Sequence, residues 1–129
     1  MGMGGNTGTQ AATIIVRGMA TGDIRLVDIH KRLWLELKVA IINGIACGIL
    51  LGLIVGFWLS DYGLGAAVSL AGGSIILCSG FTSSAVPFVL KKLNIDPALA
   101  TGPLITTLND ILGLFIYLGL ITLFLRMSA

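Results

Sequence analysis

The sequence predicts an all-α membrane protein: three full transmembrane helices, the end of a truncated helix at its start, and a short amphipathic helix on the membrane surface. Three observations lead there. Of 129 residues, 56% are hydrophobic and 11% charged, with a mean hydropathy of +1.00, whereas globular domains carry about 25% charged residues. The stretches 39–59, 64–90 and 103–125 are each long and apolar enough to cross a hydrocarbon core, which takes about 20 residues. Lysine and arginine are absent from those stretches and gather in the segments beside them.

The opening "MGMGGNTGTQAATIIV", 1–16, is too short to span a bilayer and rich in Gly, Asn, Thr and Gln. It reads as the last turns of a helix that begins upstream. In the connector 17–38, Leu26, Ile29, Leu33 and Leu37 recur at helical spacing, with Arg25, Asp28, Lys31, Arg32 and Glu36 between them. Asp23 is a plausible N-cap. That pattern describes an amphipathic helix on the membrane surface with Trp34 at headgroup level; an ordinary helical connector would leave the functional reading unchanged.

Gly44, Gly48, Gly52 and Gly56 form one stripe along the first span, the small-xxx-small pattern that lets helix backbones approach closely. The spacing does not name the partner helix. The second span carries Ser69, Ser74, Ser79, Thr82, Ser83 and Ser84, hydroxyls that suit a helix enclosed by protein. Pro87 is expected to kink its final turn. Asp96–Pro97 then reads as a cap and first position of a brief helical turn, and Pro103 starts the last span.

The function classes left are few. A net charge of +2 points to no nucleic acid. Cys47 and Cys78 fall within spans, where a disulfide framework is not expected, and the single histidine, His30, has no neighbour at zinc-ligand spacing. "GMGGNTG" lacks the Gly-Lys-Ser/Thr of a phosphate loop. No catalytic constellation is visible, and the chain is read as a non-enzyme. Basic residues at 17–38 and at Lys91–Lys92, with none in "SDYG", place those segments inside and the C-terminus outside.

The residue that calls for an explanation is Asp110. It lies seven residues beyond Pro103, about 10 Å into the last helix, where a carboxylate costs about 2.5–3.5 kcal/mol on insertion scales. Arg126 is sixteen residues further on, roughly 24 Å away along the same helix. Three readings are open: a protonated side chain, a pair with a charge elsewhere, or a transported cation as partner. Gly102, Thr106, Asp110 and Gly113 share one helical face with Tyr117 a turn beyond, which describes the wall of a water-filled path. A protonated Asp110 bonding a neighbouring helix is the structural alternative.

"GGNTGTQAATIIVRGMATGDI" and "DPALATGPLITTLNDILGLFIYLGL" resemble the two signature stretches of the MgtE-type magnesium channels, and the resemblance extends over essentially the whole chain. It implies a homodimer with five transmembrane helices per subunit, of which this chain holds the end of the second and all of the third, fourth and fifth. It implies a bacterial cytoplasmic (inner) membrane protein with upstream cytoplasmic N-terminal and CBS regulatory domains. By the same resemblance Asp110 is the main residue for hydrated Mg2+. Gly102 stands where the family often has asparagine, Thr106 presents its backbone to the ion, and Asn6 faces the same pathway. Thr107 and Gly113 complete the expected pore lining. Magnesium, which sheds water reluctantly, suits such an outer-shell site. A sodium- or proton-coupled carrier and a non-transporting membrane assembly module are the competing readings.

Overall fold

The computed structural model describes residues 2–128; Met1, the start of the expected truncated helix 1–16, and Ala129 lie outside them. The order is α1 (Gly2–Thr21), a 3-10 turn (Leu26–Asp28), α2 (Ile29–Leu59), α3 (Tyr62–Lys92), a second 3-10 turn (Pro97–Ala100) and α4 (Pro103–Ser128). No strand occurs among the described residues. Among the described residues, three helices are long and apolar enough to cross a membrane.

The connector departs from expectation. α1 continues past Arg17 to Thr21, and residues from Ile29 onward belong to the same unbroken helix as the first span. No separate surface helix forms, because nothing between Ile29 and Leu59 breaks the helix: the stretch lacks proline, and its glycines lie on one packed face. Asp23 caps no helix. It accepts a hydrogen bond from the Thr21 hydroxyl at 2.6 Å, while Gly22 at φ +82 turns the chain and Ile24 N–H donates to the Gly18 carbonyl at 2.9 Å.

The other helix ends follow capping chemistry. Ser60, at φ 52, stops α2, and Asp61 accepts from Leu64 N–H at 2.9 Å to start α3. α3 runs through Pro87 without interruption to Lys92. It closes with Asn94 at φ 59, Ile95 N–H donating to Leu90 O and Asn94 N–H to Lys91 O, the paired bonds of a Schellman motif. Asp96 accepts from Ala98 N–H at 2.9 Å ahead of Pro97.

α3 is the central helix. It meets α1, α2 and α4, and 33% of its most apolar stretch is buried, against 22% and 11% for the other two spans. The glycine stripe of α2 finds its partner here, within the chain. A Cβ on Gly44 would sit 3.0 Å from the Gly73 carbonyl oxygen, one on Gly48 2.8 Å from that of Ser69, and one on Gly52 2.9 Å from that of Gly65. The relation is reciprocal: a Cβ on Gly65 would meet Gly52 O at 2.6 Å. Two backbones this close gain dispersion contacts along their length without a solvent-driven term.

Gly48→Val is therefore expected to destabilise the helix pair by about 1–3 kcal/mol through overpacking, seen as a lower melting temperature in detergent. Gly119→Ala, where nothing lies within 4 Å, should leave the melt unchanged. Equal effects at the two positions would remove the stripe's structural role.

Candidate functional site

The start of α4 is held by a small apolar core in which Ala12 of α1, Ala100 of the second 3-10 turn and Ile105 of α4 are fully buried, with Val86 and Leu90 of α3 against them. Gly102 precedes the helix at φ +79, with open space around its Cα. That left-handed backbone favours glycine, and among side chains asparagine tolerates it best. The Gly102 carbonyl then accepts from both Thr106 N–H and the Thr106 hydroxyl, each at 3.1 Å. Thr106 is exposed, but its hydroxyl proton is directed back into the helix.

Asp110 lies one turn further on, half-buried. Its Oδ1 is 4.0 Å from where a Cβ on Gly5 would stand, and the Thr106 methyl is 3.7 Å from that same point. Gly5 thus brings the α1 backbone against the Thr106–Asp110 flank of α4. Asp110 has no hydrogen-bond or ion-pair partner among the described residues. Nor do three or more His, Cys, Asp or Glu side chains gather at any one place among them. The carboxylate is a single oxygen-rich group on an exposed flank, not one ligand of a finished cage.

The remaining expected site residues divide. Asn6 and Thr107 are exposed. Gly113 is buried against α3, where a Cβ would stand 3.4 Å from Ile75 Cγ2. Tyr117 is 38% exposed. Gly102, Thr106 and Asp110 therefore follow one another along the open edge of α4, while Gly113 allows that helix to lie close to α3.

Behind this edge the structure holds a polar seam that spacing alone did not single out. Asn109, 3% exposed, donates through Nδ2 to Ser83 Oγ of α3 at 2.9 Å. Ser79 Oγ donates to the Gly4 carbonyl of α1. Gly8 sits between them: a Cβ there would overlap Asn109 Nδ2 and Ser83 Oγ and come within 2.9 Å of Ser79 Oγ. Asn109 Oδ1 is buried without a partner among the described residues. A signal for the seam was present, since Gly4, Gly8 and Ala12 repeat in α1 the four-residue spacing of the α2 glycines. The consequence for the site is direct: Asn109 precedes Asp110, so the seam that anchors Asn109 fixes the rotation of α4 and turns Asp110 outward.

Comparison with known proteins decides the family. The MgtE family, described as a divalent cation transporter, matches residues 1–120. The chain belongs to the MgtE family. It is similar to the magnesium transporter MgtE of Bacillus subtilis, 36% identical over 125 residues, and to that of Thermus thermophilus, 37% identical over 128. The magnesium transporter MgtE of Enterococcus faecalis is 31% identical over 125 residues. These matches cover 97%, 98% and 97% of this chain and 28% of the length of each relative. As an MgtE-family chain with three membrane-capable helices, it is a multi-pass membrane protein of a transporter family.

Proposed function

We propose that this chain carries magnesium across the bacterial cytoplasmic membrane, as part of a homodimeric pore in which Asp110 binds the hydrated ion. The observation that carries the reading is the Asp110 carboxylate, without a partner among the described residues and set on the open edge of α4 beside Gly5 of α1. An ionisable group at membrane depth marks an ion pathway by default. Relatives named as magnesium transporters supply the ion.

Magnesium keeps most of its waters and is held by one or two carboxylates. One Asp110 neutralises half of a divalent charge. A two-fold axis along the open edge of α4 places two at one site. The Gly102 carbonyl, the backbone at Thr106 and the side chains of Thr107 and Asn6 then bond the hydration shell. An outer-shell site of this kind binds strongly enough to admit the ion and weakly enough to release it. In this reading the C-terminus lies outside, and upstream cytoplasmic domains regulate opening. The competing assembly-module reading loses its support, because the α2 glycine stripe packs on α3 of the same chain.

Reconstitution into vesicles loaded with a magnesium indicator tests the function. A channel passes magnesium down its gradient at a rate unaltered by an opposing sodium or proton gradient. Flux that requires such a counter-ion gradient would replace the channel with a carrier, and absence of magnesium flux would remove both.

A further inference from the structure

α2 is longer than a bilayer core. Its 31 residues from Ile29 to Leu59 span about 46 Å, against a hydrocarbon thickness of about 30 Å. The apolar part, 39–59, matches the core by itself, so the first turns from Ile29 to Lys38 stand at headgroup depth. On those turns Lys31, Trp34, Leu35 and Lys38 occur at i, i+3, i+4 and i+7, one continuous face of the helix. Together with Asp23, Ile24, Asp28 and Arg32 they line a groove of about 530 Å³, within the size range of small-ligand sites.

The charge balance in the groove is specific. Arg32 is held by the buried Glu36 at 2.5 Å. Asp28 pairs with Arg25 at 3.6 Å, and Asp23 accepts from the Thr21 hydroxyl. Among the described residues, neither Lys31 nor Lys38 lies within ion-pair distance of a carboxylate. Lys38 Nζ instead stands 5.7 Å over the Trp34 ring, and Trp34 and Leu35 are 59% and 48% exposed. Three basic side chains, Lys31, Arg32 and Lys38, thus face two acidic ones, Asp23 and Asp28, along the groove, which leaves one net positive charge beside an amphipathic ring and an aliphatic wall.

We propose that this groove is a binding site for an anionic phospholipid, its phosphate bridging Lys31 and Lys38 and its glycerol and upper acyl chain resting on Trp34 and Leu35. The assignment to the cytoplasmic leaflet rests on the topology proposed above; the site itself does not depend on magnesium transport. A positive charge beside a spanning helix attracts anionic lipid by about fivefold, and the groove's one net positive charge gives a preference of that size.

The protein has two tryptophans, Trp34 and Trp58, so Trp58→Phe leaves Trp34 as the reporter. In vesicles, brominated phosphatidylglycerol should quench Trp34 fluorescence at about fivefold lower mole fraction than brominated phosphatidylcholine, and saturably. Lys31→Gln/Lys38→Gln should abolish that preference. Lys91→Gln/Lys92→Gln removes as much charge from the exposed end of α3 and should preserve it. The site is overturned if the two lipids quench alike, if the preference survives loss of Lys31 and Lys38, or if loss of Lys91 and Lys92 removes it equally. Relief of quenching by millimolar inorganic phosphate would identify a soluble anion as the ligand and overturn the lipid assignment.

Discussion

Replacing Asp110 with asparagine is expected to lower magnesium affinity at the pore by about 30- to 150-fold while leaving the helices packed. The substitution keeps the size of the side chain and removes its charge. A hydrogen bond to a charged group contributes about 1.5–3 kcal/mol and one between neutral groups about 0.5–1.5. The difference is about 1–1.5 kcal/mol per side chain and about 2–3 for a pair, at about 1.36 kcal/mol per tenfold. Packing should survive because α4 is anchored by Ile105 and Asn109, not by Asp110, which has no partner among the described residues. Magnesium flux into vesicles, compared with sodium flux in the same preparation, measures the effect. Melting of the purified variant checks that it is folded.

Mixing subunits tests the shared site. If two carboxylates are needed, wild-type and Asp110→Asn chains combined before reconstitution should give magnesium flux that falls with the square of the wild-type fraction. A linear fall would mean that each chain conducts alone. Flux and selectivity unchanged in the pure variant would remove Asp110 from the pathway and leave the protonated, structural reading in its place.

The second large effect is expected at Gly8, away from the open edge of the site. Gly8→Val must displace Asn109 and Ser83, whose polar atoms already occupy the space of its Cβ. Overpacking costs about 1–3 kcal/mol, and loss of the Asn109–Ser83 bond adds about 1. A destabilisation of about 2–4 kcal/mol follows, measured as a lowered melting temperature in detergent. Because the seam sets the rotation of α4, magnesium flux should fall with it.

Asn109→Ala/Ser83→Ala opens the space that a side chain at Gly8 needs. In that background Gly8→Ala should cost less than it does alone, a coupling that a double-mutant cycle reads directly. Additive effects would mean that Gly8 is excluded from larger residues for some reason other than the seam. Gly5→Ala makes a useful contrast. A Cβ there would meet Thr106 and Asp110 at ordinary contact distances of 3.7 and 4.0 Å, so it should alter flux more than stability.

The sequence determined the membrane class, the three spans, the start of the last helix at Pro103 and the anomaly of Asp110. All of these are properties of single segments. A run of apolar residues, a proline at a first turn or a carboxylate among leucines is visible in one dimension, because its physical cost arises against lipid or backbone irrespective of neighbours. Only the tertiary structure decided which helices face one another. The glycine stripe of α2 could have met any partner, since small residues permit close approach without specifying to whom; Gly65, Ser69 and Gly73 of α3 complete it. The connector's charges pointed to a surface helix, yet α2 runs unbroken through its second half, because helix continuation needs only the absence of a breaker. Glu36 looked like one more polar surface residue and is buried beside Arg32. Asp110 was conspicuous for its charge. Its neighbour Asn109 was not, because an uncharged amide costs little enough in a helix to pass unnoticed until Ser83, from a different helix, is seen to accept its proton. That pairing across helices, and the outward turn it gives Asp110, exist only in three dimensions.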